Sequence, residues 1–130
     1  MIKFAYTILY VQDVVKTITF YERAFGFSQK FITHDHSYAE VISGETTLSF
    51  ASKTLALSNL QEGFIESNIN EKPFGIEIGF TTDDVANTMK KAVEAGAVIC
   101  AEPKTKPWGQ VVGYVRDLDG FLIEICTPMV

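Results

Sequence analysis

The sequence predicts an α+β fold of two βαβββ modules, a mixed sheet with its helices on the outer face. Three observations lead there. An amphipathic stretch opened by Asp13 and closed by Gly26 returns 70 positions later, opened by Asp83 and closed by Gly96. Each stretch follows one short apolar run and precedes several more. Those runs alternate with a period of two, as half-buried strands do. A strand leading through a helix into further strands of one sheet favours helices on one face only. The other face must then be covered by the second copy, a partner subunit or a ligand.

Module one spans residues 4–52. Residues 4–11 form the first strand, with Tyr6, Ile8 and Tyr10 on one side and Ala5, Thr7, Leu9 and Val11 on the other. Asp13 then accepts hydrogen bonds from the free N–H groups of a helix start. Val15, Ile18, Phe25 and either Tyr21 or Glu22 recur at helical spacing. Gly26 stops the helix in a left-handed turn. Residues 28–33, 38–43 and 46–52 complete the module, the last two joined as a hairpin through Ser43-Gly44-Glu45. His34 and His36 flank Asp35 between two of these strands and read as a solvated hairpin.

Residues 53–73 break the alternation and read as a polar linker with room for a short helical turn. Module two spans 74–127. Ile76, Ile78 and Phe80 are expected to enter its core. Asp83 is expected to cap its helix and Gly96 to end it. Residues 98–101, 110–116 and 121–126 are its remaining strands, and Asp117-Leu118-Asp119-Gly120 is a hairpin turn. Arg116 and Asp117 are expected to pair locally or brace that turn, with Arg116 otherwise available to an anionic substrate.

At 130 residues the chain is expected to form one domain, 1–130, and at 47% hydrophobic it has enough for a core. No window approaches the roughly 18 apolar residues needed to cross a bilayer. The opening Met1-Ile2-Lys3-Phe4 runs into a strand pattern rather than a signal peptide, so a cytoplasmic location is expected. Cys100 and Cys126 form no CxxC pair and read as free buried thiols. A formal charge of −5 with scattered basic residues argues against nucleic acid and anionic membrane as partners.

Three segments carry a family resemblance: Phe20-Tyr21 with Phe25-Gly26-Phe27, then Pro107-Trp108-Gly109-Gln110, then the run 115–124 ending in Glu124. With the duplicated layout they make nearly the whole chain resemble the vicinal oxygen chelate superfamily. That group includes glyoxalase I, extradiol dioxygenases, fosfomycin-modifying enzymes and bleomycin resistance proteins. The resemblance implies a cup-shaped sheet, a homodimer, and a site in the cup. It also implies metal positions on the first and last strand of each module. In this chain those positions are Tyr6 and Ser49 in module one, and Glu77 and Glu124 in module two. Metal-binding members carry His or Glu there, so Tyr6 and Ser49 depart from the pattern.

Strand alternation points to the same residues. If Ile78 and Phe80 enter the core, Glu77, Gly79 and Thr81 face away from it. The same holds for Leu122, Glu124 and Cys126, and for Thr47, Ser49 and Ala51. Two carboxylates in one poorly hydrated hollow cannot both ionise freely. A cation between them, a shared proton or a bound cationic ligand relieves the conflict. Trp108 reads either as a structural plug or as an aromatic wall. As a wall it would stack a planar or cationic ligand together with Tyr6 and with Tyr10 or Tyr114. The expected ligand-binding set is therefore Tyr6, Ser49, Glu77, Trp108, Tyr114 and Glu124.

Two functions compete. One is a protein that sequesters a small aromatic or cationic molecule, with no obligatory metal or other cofactor. The alternative is a metal-dependent lyase or isomerase resembling glyoxalase I. There Glu77 and Glu124 would be both ligands and catalytic groups, around Mn, Mg, Ni or Zn. Such an all-oxygen donor set suits Mg²⁺ or Mn²⁺ better than Zn²⁺.

Overall fold

The computed structural model describes residues 1–129. The elements follow in the order β1 (Thr7–Val11), α1 (Val14–Phe25), β2 (Ser28–Ile32), β3 (Tyr38–Ser43), β4 (Thr46–Ser52) and α2 (Lys53–Asn59). Then come β5 (Glu77–Thr81), α3 (Val85–Ala95), β6 (Val98–Thr105), β7 (Val111–Arg116) and β8 (Leu122–Cys126). Two open four-stranded sheets result, β1-β4-β3-β2 and β5-β8-β7-β6. In each, the first strand runs parallel to the last and all other pairs are antiparallel. That is the expected βαβββ connection, made twice. The described residues cluster into two compact units, one of residues 1–22 and 26–66, the other of 23–25 and 67–129.

In the first unit α1 starts where Asp13 accepts from the Lys16 N–H at 3.1 Å, and it ends at Gly26 with φ +72°. Its buried stripe is Val14, Ile18, Tyr21 and Ala24. Val15 is exposed, so the apolar face begins one residue earlier than the sequence spacing suggests, and Tyr21 rather than Glu22 continues it. The Tyr21 ring lies 4.9 Å from that of Phe50 on β4. Leu9, Val11, Ala39, Val41, Leu48 and Phe50 complete this core. Full burial of each large apolar side chain contributes about 1.5–3 kcal/mol.

In the second unit α3 packs on β6, β7 and β8. Its N-cap is Asp84, which accepts from the Asn87 N–H at 3.0 Å, and not the expected Asp83. The pair Asp83-Asp84 offers two candidate caps, and the backbone enters the helix one residue later than the repeat implies. Gly113 leaves room on β7 for the Met89 sulfur of α3. Val115, Ile123 and Ile125 are fully buried. Ile76, expected in this core, precedes β5 and is 74% exposed.

The turn after β7 is a built structure. Asp117 accepts through Oδ1 from the N–H groups of Asp119 and Phe121. Arg116 donates through Nε to the Gly120 carbonyl, and through its two terminal nitrogens to the carbonyls of Ile69 and Asn68. Arg116 thus braces the turn and straps the incoming segment to it. A Cβ on Gly120 would come within 2.8 Å of that segment's backbone, and its φ of +88° suits glycine.

The segment 53–73 is less irregular than expected. Ser52 caps α2 by accepting from the Leu55 N–H, and Phe64 packs edge-on against Tyr10. Cys126 is buried, but Cys100 on the edge strand β6 is exposed, against expectation. No helix among the described residues is long and apolar enough to cross a membrane.

Candidate functional site

Sheet register decides which side chains share the helix-free faces. In the second sheet Gly79 lies beside Glu124, and Glu77 beside Leu122. Across β8, Tyr114 lies opposite Glu124 and Val112 opposite Cys126. Glu77, Tyr114, Glu124 and Cys126 therefore rise from one side of this sheet, as strand alternation predicts. Ile123, Ile125 and Val115 point the other way.

The centre of this face is a phenol–carboxylate pair. The Tyr114 hydroxyl donates to Glu124 Oε1 at 3.1 Å. Burial pushes the Tyr114 phenol up to about 12, and the neighbouring carboxylates of Glu124 and Glu77 add to the rise. Both acids thus act on one hydroxyl, with Glu124 alone hydrogen-bonded to it. Burial also raises the Cys126 thiol, and Glu124 adds to that rise, while Gln110 pulls the other way. Gly79 puts no side chain between Glu77 and Thr81 and leaves a notch beside Glu124, whose Oε2 would stand 3.6 Å from a Cβ there.

In the first sheet Ser49 lies beside Ile8 on β1 and opposite Glu40 on β3. Tyr6 sits just before β1, two residues ahead of Ile8, so strand alternation continued past the strand end puts it on the side of Ser49. Ser49 is fully buried, and its hydroxyl has no hydrogen-bond partner among the described residues. It stands close enough to Tyr38 to oppose the rise of that phenol, without hydrogen-bond geometry.

Sequence reasoning missed Tyr38 and Glu40. The Tyr38 hydroxyl donates to Glu40 Oε2 at 2.7 Å, and burial, followed by that bond, pushes Tyr38 up to about 12. Glu40 is only 7% exposed and has Lys30 at 3.7 Å. Register gives the correspondence between the sheets. Ser49 holds the place of Glu124, and Glu40 the place of Tyr114. Module one therefore carries its carboxylate one strand over. The signal was the Tyr-x-Glu alternation at 38–40, which shares a face with Ser49 once the hairpin is registered.

Trp108 stands apart from the strand faces. It lies in the turn between β6 and β7 and is 63% exposed, which excludes a structural plug. Its indole N–H donates to Gln110 Oε1 at 2.9 Å, and Gln110 Nε2 donates to the Thr127 carbonyl at 2.8 Å. His34 and His36 are exposed in the β2–β3 turn, where Asp35 accepts from Thr33 and Ser37. Among the described residues no group of three or more His, Cys, Asp or Glu converges as a metal site.

These faces, repeated on two βαβββ sheets, define a duplicated scaffold whose site chemistry differs between halves. A family model described as Glyoxalase/Bleomycin resistance protein/Dioxygenase superfamily matches residues 3–125. The chain belongs to that superfamily. Among solved structures it resembles a glyoxalase-related enzyme from Fulvimarina pelagi, with TM-score 0.82 and 21% identity over 98% of this chain and 89% of that one. It also resembles a hypothetical protein from S. aureus, with TM-score 0.81 and 23% identity over 98% of this chain and 95% of that one. A third is a glyoxalase/bleomycin resistance protein/dioxygenase family enzyme from Burkholderia phytofirmans PsJN. Its TM-score is 0.80 and its identity 16%, over 97% of this chain and 98% of that one. At these identities the likeness establishes the fold and no activity. The comparison with curated proteins gave no match.

Proposed function

We propose that this protein binds a small aromatic or cationic molecule on the helix-free face of the module-two sheet, without an obligatory metal. The observation that carries this reading is the Tyr114–Glu124 pair beside the side-chain-free notch at Gly79. Glu124 supplies a carboxylate whose orientation Tyr114 fixes, and Glu77 adds a second negative charge near the same phenol. A cationic group entering the notch would meet both acids, while Tyr114 offers a ring to an aromatic one. Trp108 at the end of the module-two sheet belongs to the proposed binding set, and Tyr6 and Ser49 are proposed as ligand contacts on the corresponding face of module one. The protein is proposed to act in the cytoplasm as a homodimer, and sedimentation equilibrium tests that assembly.

The second reading is a metal-dependent lyase or isomerase. It is favoured by two carboxylates on one sheet face, both acting on the Tyr114 hydroxyl. Glu77 and Glu124 fit a hard divalent ion such as Mg²⁺ or Mn²⁺, with the remaining positions left to water and substrate oxygens. When bound, such an ion would supply charge to adjacent substrate oxygens, and Glu124 would move a proton under Tyr114's control.

One set of measurements separates the two. The purified protein is analysed for bound metals and assayed for hemithioacetal isomerisation with Ni²⁺, Mn²⁺ and Zn²⁺. In parallel, calorimetry follows the binding of cationic aromatics to the native protein and to Glu124→Gln. The binding reading expects no isomerisation and a loss of affinity of about ten-fold in Glu124→Gln, from the removed charge. Activity restored by one metal and abolished in Glu124→Gln would sink it in favour of the enzyme.

A further inference from the structure

We propose a second ligand site in module two, a cleft specific for a quaternary ammonium group, between Asp83 and Trp108. The cleft has a volume of about 550 Å³ and is lined by Asp83, Trp108, Gln110, Thr127, Pro128 and Met129 among others. That size falls within the rough 300–1,000 Å³ range of small-molecule sites. None of the residues identified on the strand face, Glu77, Tyr114 or Glu124, contributes to its wall.

Three features define what it takes. The first is charge. Among the described residues of the lining Asp83 is the only charged side chain, with no Lys, Arg or His beside it. The helix cap is made by Asp84, so the Asp83 carboxylate is not spent on the α3 N-terminus. An anion is therefore disfavoured and a cation favoured.

The second feature is the indole. Trp108 is held by the chain Trp108 to Gln110 to the Thr127 carbonyl, yet most of its surface stays open. An exposed aromatic ring fixed in this way presents a preset face to a cation, and Trp is the strongest such partner among the aromatics. The fixed ring loses little further freedom on binding.

The third feature decides between kinds of cation. A primary ammonium needs three hydrogen-bond acceptors. Here Gln110 Oε1 already accepts from the indole N–H, and the Thr127 carbonyl from Gln110 Nε2, so each has one lone pair left for a ligand. Beyond these partly engaged oxygens, the side chains facing a ligand are one carboxylate and the apolar surfaces of Trp108, Pro128 and Met129. A trimethylammonium group has no N–H to satisfy and gains from all of these. The cleft therefore matches a methylated ammonium headgroup rather than an amine.

The test uses the full chain. Trp108 is its only tryptophan and lines this cleft, so its fluorescence reports binding there directly. Choline is the probe, and dimethylbutanol, its uncharged carbon isostere, is the control. The expected result is saturable quenching by choline, none by dimethylbutanol, and weaker binding of ethanolamine. Asp83→Asn should weaken choline by about three- to five-fold, as expected for removing one charge partner at an exposed site. The Trp108 response to choline should persist in Glu124→Gln, although that variant weakens cation binding on the strand face, which keeps the two sites distinct. Equal responses to choline and its isostere, no saturable response, or an Asp83→Asn variant that binds choline as well as the native chain would each overturn the proposal. If choline binding is lost in Glu124→Gln but not in Asp83→Asn, the cation belongs to the strand face, and the second site does not exist.

Discussion

Tyr38 and Tyr114 do the same job on two sheets: each gives its hydroxyl proton to a glutamate, at 2.7 Å and 3.1 Å. Each is pushed up to about 12, by burial first and the glutamate second. The sign of the stability effect follows. The neutral phenol is favoured in the folded state, so the contribution is complete below the ordinary value of about 10 and is lost as pH rises from there towards about 12. Alkaline titration of tyrosinate absorbance should show late steps near 12, and Tyr38→Phe and Tyr114→Phe should each remove one. Titration of both at the ordinary value would dissolve the hydrogen-bonded pairs described above. Glu40 shows why one partner escaped sequence reading. Sequence reading placed a strand over 38–43 and assigned no face to its residues. Burial of Glu40 depends on Tyr38 and on Lys30 from a neighbouring strand, and a single strand's pattern holds no record of either.

The helices and hairpins were legible to different degrees for physical reasons that can be named. The β3–β4 hairpin was readable to the residue, because strict alternation meets a Gly44 at φ +58° that only a tight turn requires. Helix α1 was readable at both ends, since Asp13 and Gly26 are unambiguous caps. The start of α3 was not, because Asp83 and Asp84 are chemically identical candidates. Which one caps depends on Thr82, whose hydroxyl accepts from the Asp84 N–H at 3.2 Å and meets Thr88 at 3.2 Å. A direct consequence is measurable by thermal melts of two variants. Asp84→Ala should lose about 1 kcal/mol, the usual worth of an N-cap, while Asp83→Ala should stay within about 0.5 kcal/mol of the native chain. The reverse order would move the cap back to the position the repeat suggests and would remove the spare carboxylate from the cleft. The hydrogen-bonding role of Arg116 was half legible. Its place before a turn was clear, but its bonds to the carbonyls of Asn68 and Ile69 span nearly fifty positions and leave no local signature.

At the scale of the whole molecule, the duplication made the fold visible and hid the site. A repeat shows which strands correspond, and on that basis Tyr6 and Ser49 align with Glu77 and Glu124. It does not say which copy keeps the chemistry, and here each copy has a carboxylate in a different place. Charge is the property both copies share. The chain carries −5 at neutral pH and has a sequence pI near 4.9. A net field of that sign accelerates the approach of cations and does nothing for neutral molecules. The Debye length falls from about 30 Å at 0.01 M salt to about 8 Å at 0.15 M, so the steering should fade over that range. Stopped-flow association of benzyltrimethylammonium should therefore slow several-fold as salt is raised, while benzyl alcohol should associate at one rate throughout. The dissociation rate should change less, because the contacts that hold the bound cation are short-ranged and partly shielded from the ions. If the cation and the alcohol show the same flat dependence, negative charge plays no part in recognition. The carboxylates at 77, 83 and 124 would then have to be read as surface groups rather than as the features that select the ligand.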